Sequence, residues 1–158
     1  MPTYRTPDVY IEEISVFPPS VAEVETAIPA FVGYTANTTL ITAGDLVNSP
    51  RRIKSLLEYE AYYGKGPSYT VTQANIDDAG NFLTADISNS YFMYDSLRLF
   101  YDNGGGDCYI VSAGAYKTVG SPVDREELKT GVQAVAKVDE PTILLFPDAA
   151  TLNADDLA

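Results

Sequence analysis

The chain has 158 residues, a 46% share of hydrophobic residues and a formal net charge of −12 at neutral pH. This acidity disfavours nucleic acid as a partner, because phosphate backbones repel such a surface; it indicates either plain solubility or complementarity with a basic partner surface. The sequence contains no histidine, which excludes Ser-His-Asp and Cys-His catalysis and zinc sites built on imidazole.

The single cysteine, Cys108, cannot form an intrachain disulfide. It lies in an apolar run, where a buried, inert thiol is expected. No apolar run approaches the roughly 20 residues that span a bilayer, and the N-terminus lacks the apolar core of a signal peptide. The sequence therefore predicts a soluble globular domain, with or without an extended arm, that folds in the cytoplasm.

The N-terminal segment, residues 1–20, has the period-2 alternation of a β-strand. Val9 and Ile11 fall on one face of this strand and Tyr10 and Glu12 on the other, with prolines before and after the run. A strand at a terminus needs a neighbouring sheet. The pattern leaves two interpretations open, an edge strand of its own domain or an arm that adds to the sheet of another subunit.

A short buried strand and a short helix are predicted next. Residues 30–34 read as the strand, and the chain is extended again from residue 51. Ser55 and Glu58 have the spacing of a capping box that starts the helix. The helix is expected to run to about Tyr63, with Gly64 as its left-handed C-terminal residue.

A β-hairpin and a longer helix follow. The alternating residues of segment 66–90, with a turn at 77–80, predict the hairpin as an excursion from the main fold. In the helix, Met93, Leu97 and Phe100 stand at i, i+4 and i+7, which is the spacing of one buried face.

Three glycines, Gly104, Gly105 and Gly106, separate this helix from the apolar strand "CYIVSA". A phosphate-binding loop needs the order strand, glycines, helix, because the free amides of a helix N-terminus bind the anion. Here the helix comes first, so its carbonyl end faces the glycines. We interpret them as a structural turn, with Gly104 or Gly105 at positive φ.

The last elements complete an alternating pattern. Asp124 and Glu127 form a second capping box, before a helix with the apolar stripe Leu128, Val132 and Val135. The strand "TILLF" is continuously apolar, which is typical of a parallel strand covered on both faces. The order helix, strand, helix, strand predicts an α/β fold with a mixed or parallel sheet flanked by helices.

Two features near the C-terminus bear on function. Asp148 follows a buried strand at the edge where α/β folds bind ligands, so a small-molecule-binding or enzymatic domain is the alternative function. Asn153, Asp155 and Asp156 are typical of a helix start rather than of a metal site. The sequence thus predicts no metal or cofactor, and it indicates the front part of a longer protein.

Five segments, in this order, resemble the front portion of contractile tail sheath proteins, the family of phage tails and extracellular contractile injection systems. They are "YRTPDVYIEEI", "FPPSVAEVETAIPAFVGYT", "RIKSLLEYEAYYG", "YFMYDSLRLFYDNGGGDCYIVSAG" and "EPTILLFPDAATL". The resemblance covers nearly the whole chain and is loosest in the hairpin. The sequence departs from the family at Asp8, where glycine is usual. The family's C-terminal domain has no counterpart in these 158 residues, so we expect them to be the front part of a longer protein.

The resemblance implies a subtilisin-like, non-catalytic α/β domain at residues 21–158, incomplete at its C-terminus, with a hairpin insertion at about 66–90. Residues 1–20 are then an arm that adds a strand to a neighbouring subunit. The arm residues implied by the resemblance are Thr6, Pro7, Val9, Tyr10, Ile11, Glu12, Glu13 and Ile14.

The resemblance also implies a structural function without cofactors. Sheath subunits stack as hexameric rings around an inner tube and contract to drive the tube through a target envelope. The implied partners are other sheath subunits, the inner tube protein, and baseplate and terminator components, with no nucleic acid and no membrane insertion. Assembly is expected in the cytoplasm, followed by incorporation into a virion or a released extracellular particle.

Overall fold

The computed structural model describes residues 27–88, 91–118 and 121–152. The arm residues and Asn153, Asp155 and Asp156 lie outside this range, so the interpretations made for them stay predictions. The strands are β1 (Pro29–Thr35), β2 (Arg51–Ile53), β3 (Thr70–Ile76), β4 (Phe82–Ser88), β5 (Cys108–Ala115) and β6 (Ile143–Leu145). The helices are α1 (Leu56–Tyr63), α2 (Met93–Asp102) and α3 (Arg125–Val135), and a 3-10 helix (Pro147–Thr151) follows β6.

The main sheet has four strands in the order β2-β5-β1-β6. β1 runs parallel to both β5 and β6, and β2 runs antiparallel to β5. One apolar cluster joins the sheet to α1 and α2, and a second joins the other face to α3. The fold is therefore a mixed α/β sheet flanked by helices, which agrees with the predicted class.

β1 is the centre of the core, because all seven of its residues are buried. Phe31 packs into the α1 and α2 cluster, while Val32 packs on the other face against α3. A Cβ atom at Gly131 in α3 would lie 2.6 Å from Val32 Cγ1. The close approach of α3 to the sheet therefore explains a glycine in the middle of a helix, where it otherwise lowers stability.

α1 starts and ends where the sequence predicts. The Ser55 hydroxyl accepts a hydrogen bond from the Glu58 N–H at 3.2 Å. The Glu58 carboxylate accepts from the Lys54 N–H at 2.9 Å, so the return bond of the capping box lies one residue earlier than the motif specifies. Gly64 closes the helix at φ +78°.

The corner between α2 and β5 holds the three glycines. Gly104 has φ +82°, and its N–H donates to the Tyr101 carbonyl at 3.0 Å. The Gly105 N–H donates to the Phe100 carbonyl at 2.9 Å, and a Cβ at Gly105 would lie 2.5 Å from the Phe100 ring. The helix carbonyls are thus satisfied within the corner, as in a helix C-cap.

β6 differs from its prediction. The apolar run predicts a strand covered on both faces, but Ile143, Leu144 and Leu145 are 45%, 44% and 37% exposed, so that expectation is wrong for the described residues. β6 is parallel, as expected, but it lies at the edge of the sheet with β1 on one side. Hydrophobicity reports how apolar a strand is and not whether a neighbour covers it.

β3 and β4 pair antiparallel as the predicted hairpin. Its turn is closed by the Asp77 carboxylate, which accepts hydrogen bonds from the N–H groups of Ala79 at 2.9 Å and Asn81 at 2.7 Å. The Tyr69 hydroxyl binds the Asp95 carboxylate and ties the base of the hairpin to α2. Large apolar side chains are exposed along the hairpin, namely Val71, Ile76, Phe82 and Leu83.

Candidate functional site

Asp148, the candidate ligand residue, lies in the 3-10 helix after β6 and is completely buried. Its Oδ2 accepts a hydrogen bond from the Tyr34 N–H at 2.7 Å. Its Oδ1 accepts from the N–H groups of Phe92 at 2.6 Å and Met93 at 3.0 Å. One carboxylate therefore joins the segment after β6 to β1 and to the start of α2.

The β1 side of this contact depends on an irregular strand. The pairing of β1 with β5 shifts register between Gly33 and Tyr34, at the residue whose N–H reaches Asp148. A Cβ atom at Gly33 would lie 2.6 Å from the Asp148 Oδ2 and 2.7 Å from the Met93 Sδ. Glycine is thus the residue that allows the carboxylate and the methionine to approach the strand together.

The helix side of the contact is a cap supplied from far away in the sequence. Phe92 is the N-cap of α2 and has no side-chain cap of its own. Asp148, 55 residues from Met93, takes that role by accepting the first two N–H groups. A negative charge at a helix N-terminus is also favoured by the helix dipole.

Burial raises the pKa of Asp148 above its usual value, while the three backbone N–H donors lower it by a smaller amount. These donors occupy both carboxylate oxygens, and no part of the residue is exposed to a ligand. Asp148 does lie at the strand end that the sequence indicates. Its geometry is that of an internal cross-link between three segments.

A second polar cluster surrounds the Tyr34 hydroxyl. This hydroxyl accepts from the Asp124 N–H at 3.0 Å and donates to the Glu127 carboxylate. Lys117 Nζ lies 2.8 Å from the same carboxylate. The Asp124 side chain caps α3 by accepting from the Glu126 N–H at 2.8 Å. The return bond expected of this capping box is therefore carried through Tyr34, a residue that the motif does not include.

Two buried groups that could act as nucleophiles, the Tyr34 hydroxyl and the Cys108 thiol, are protonated at neutral pH. Burial, together with the hydrogen bond to Glu127, raises the pKa of Tyr34 to about 12. Burial raises the pKa of the Cys108 thiol to about 11, and this thiol lies 3.2 Å from the Tyr101 hydroxyl. Since the thiolate is the nucleophile, Cys108 is the inert thiol that the apolar run predicts.

Two negative findings apply to residues 27–88, 91–118 and 121–152. Within them, no group of three or more Cys, Asp and Glu side chains is placed to hold a metal ion. No helix in this part of the chain is long and apolar enough to cross a membrane.

An open apolar cleft of about 670 Å³ lies between α2 and β6, and we call it the β6 cleft. The side chains that line it carry no charge. They are Phe31, Ser96, Leu99, Phe100, Asn103, Leu145, Phe146 and Pro147, together with Gly104 and Gly105. The cleft is therefore a surface suited to apolar contact.

These features define an α/β domain in which buried polar groups serve the fold. A comparison with protein-family models found no match, and a comparison with curated proteins found none either. Among solved structures, the chain is similar to the helical sheath of the anti-feeding prophage (AFP) in its contracted state, determined by cryo-EM. The two are 24% identical, with a TM-score of 0.46 over 91% of this chain and 32% of that chain. The chain thus spans 32% of the length of that sheath chain, and at this TM-score the likeness carries no argument about function.

Proposed function

We propose that this chain is the α/β part of a structural subunit of a contractile sheath. The observation that carries the proposal is the ordered set of five sheath-like segments in its sequence. Three of them meet at one buried point: "FVGYT" provides the Tyr34 N–H, "YFMYD" provides Phe92 and Met93, and "FPDAA" provides Asp148. The Asp148 carboxylate therefore joins three of the resembling segments in the fold.

Exposed apolar side chains support the proposal that this chain is a subunit of an assembly. Ile41 is 88% exposed on a loop whose N–H groups are held by Asp45, and the hairpin exposes Ile76 at 65% and Phe82 at 67%. Exposed apolar patches on a folded domain commonly mark surfaces that contact other proteins. The chain carries a net charge of −12, which opposes association between copies, so uncharged exposed residues are the ones best suited to such contacts.

In this proposal the domain is subtilisin-like in fold and takes no part in catalysis. Copies stack as hexameric rings around an inner tube, and residues 6–14 add a strand to a neighbouring subunit. Contraction repacks the subunit interfaces and drives the tube through a target envelope without a nucleotide. The other partners are the inner tube protein and the baseplate and terminator components. Assembly takes place in the cytoplasm, and the product is a virion or a released extracellular particle.

The hairpin turn offers a site for testing the proposal. A short epitope inserted between Asp78 and Ala79, both exposed, leaves the buried core untouched. We expect gold-labelled antibody to decorate tail-like particles along their whole length, in a regular repeat, in cells that encode the tagged protein. Label on free protein with none on such particles would refute the sheath function.

The arm is tested separately. Deleting residues 1–15 from the protein in the same cells is expected to leave a folded subunit and no connected sheath. Ordered, contractile tubes that form from the deletion variant, seen by electron microscopy, would contradict the role of the arm while leaving the sheath function intact.

A further inference from the structure

The corner between α2 and β5 contains Asn103-Gly104, the only Asn-Gly pair in the sequence. Both residues are exposed to solvent. An asparagine loses its side-chain amide most readily when glycine follows it, because glycine has no side chain to hinder attack by its backbone nitrogen. The corner is therefore a candidate site of chemical modification.

We propose that Asn103 is a deamidation site that the folded corner protects and that opening of the corner exposes. In the reaction the Gly104 backbone nitrogen loses its proton to a solvent base and attacks Asn103 Cγ. An N–C bond forms, the Cγ–Nδ2 bond breaks, and the amide group leaves as ammonia after taking a proton from water. The product is a succinimide, which water opens at either carbonyl to aspartate or isoaspartate. The proposal concerns the chain by itself and does not rest on the sheath function.

Two hydrogen bonds hold the groups that must react. The Gly104 N–H, whose nitrogen is the nucleophile, donates to the Tyr101 carbonyl at 3.0 Å. The Asn103 Nδ2 group, which must leave, donates to the Leu99 carbonyl at 2.7 Å. Both bonds have to break before the nitrogen can reach Cγ, so the closed corner is unreactive.

The backbone angle at Asn103 also opposes ring closure. A succinimide ring is nearly planar, so it brings the Gly104 nitrogen into line with Asn103 Cβ about the Cα–C bond. Asn103 has ψ 17°, which places that nitrogen nearly in line with the backbone nitrogen of Asn103 instead. Closure therefore requires a rotation that moves Gly104 out of the corner. Openings of this kind occur most easily at the ends of helices.

The modified residue weakens the corner permanently. A carboxylate at this position has no N–H to donate, so it faces the Leu99 carbonyl as a second acceptor. Its charge lies next to Asp102 and at the carbonyl end of α2, where the helix dipole disfavours it. Each opening that leads to reaction is thus recorded in the covalent structure, at the joint between α2 and the buried strand β5.

Mass spectrometry of the purified full chain tests the site and its protection. The chain is incubated at mildly alkaline pH, folded or in guanidinium chloride, and the deamidated fraction at Asn103 is followed over time. We expect deamidation about tenfold slower in the folded chain, the ratio that two ordinary hydrogen bonds sustain. Rates as high in the folded chain as in the unfolded one would overturn the protection. An unfolded chain that keeps Asn103 intact would overturn the site.

Two alanine substitutions test whether the corner is the cause of the protection, and both leave the Asn-Gly pair unchanged. In Gly105→Ala the new Cβ would lie 2.5 Å from the Phe100 ring, so the corner has to shift. We expect its folded form to deamidate about threefold faster or more, the effect of one lost hydrogen bond. Gly106→Ala is the matched control, because nothing lies within 4 Å of its new Cβ, and it is expected to match the unchanged chain. Equal rates in the two variants, both shown to be folded by circular dichroism, would overturn the role of the corner.

Hydrogen exchange of the Gly104 amide measures the same opening without a substitution. We expect this amide to exchange more slowly in the folded, unchanged chain than in the unfolded chain, because its N–H is bonded to the Tyr101 carbonyl. Equal exchange in the two states would overturn the proposal, whatever the outcome of the tests on tail-like particles.

Discussion

Removal of the Asp148 carboxylate is expected to destabilise the whole domain. Asp148→Ala leaves the N–H groups of Tyr34, Phe92 and Met93 without their acceptor in a buried site. Each unsatisfied buried group costs about 1–3 kcal/mol, and partial relaxation with water entry recovers some of the sum. We expect a loss of about 3–5 kcal/mol in the free energy of unfolding, a large share of the roughly 5–15 kcal/mol typical of a domain.

The companion variant Asp148→Asn tests the two carboxylate oxygens separately, because it keeps one oxygen and replaces the other with an amide group. Its remaining carbonyl oxygen still accepts from Phe92 and Met93, but its amide group meets the Tyr34 N–H, so that two donors face each other. We expect a loss of about 2–3 kcal/mol. Asp78→Asn, on the exposed hairpin turn, is the matched control and is expected to leave stability unchanged.

Urea unfolding followed by circular dichroism measures these losses as a shift of the midpoint at constant slope. For a chain of this size, each kcal/mol also lowers the melting temperature by about 2–4 °C. A loss below about 1 kcal/mol in Asp148→Ala would refute the reasoning, because the three donors would then not depend on the carboxylate.

Three further predictions concern the same core. Tyr34→Phe removes the bridge between the Asp124 N–H and Glu127 and is expected to cost about 1–3 kcal/mol in urea unfolding. Gly131→Ala is expected to cost about 1–3 kcal/mol, because the new Cβ lies 2.6 Å from Val32 Cγ1 and overpacking outweighs the better helix propensity. Stability is expected to rise as the pH falls through the raised pKa of Asp148 towards the unfolded value of 3.8, because the folded state binds the proton more tightly in that window.

Each of these has a control. Tyr69→Phe removes a hydroxyl contact at a half-exposed site and is expected to change stability less than Tyr34→Phe. Gln133→Ala, on the exposed side of α3, is expected to be neutral, and a neutral Gly131→Ala would show that the helix can shift. The pH dependence assigned to Asp148 is expected to disappear in Asp148→Asn, and an unchanged profile would assign it to other groups.

The local structure was predictable because its causes lie within a few residues. The Ser55 hydroxyl reaches an N–H three residues away, and Gly104 closes α2 with a bond to Tyr101. The buried face of α2 follows from the spacing of Met93 and Leu97. The alternation of these elements was enough to predict the α/β class, since such elements bury their apolar faces in few ways.

The position of the candidate site could be predicted from the sequence, but the chemical role of Asp148 could not. The sequence put Asp148 at the end of a strand, but its three donors lie 114, 56 and 55 residues away along the chain. Glycine at position 33 was a possible signal, because a glycine inside a buried strand often marks a close approach. Nothing in the sequence says what approaches it.

The sequence by itself therefore determined the elements, the local N-cap residues of α1 and α3 and the resemblance to sheath proteins, because periodicity and side-chain capping act over one or two turns. Only the tertiary structure decided that both oxygens of Asp148 accept hydrogen bonds from backbone N–H groups and that Tyr34 completes the cap of α3. It also placed β6 at the edge of the sheet, with its apolar side chains exposed. Those outcomes depend on which segments meet in space. Hydrogen bonding and burial are set by neighbours that the chain brings together only when it folds.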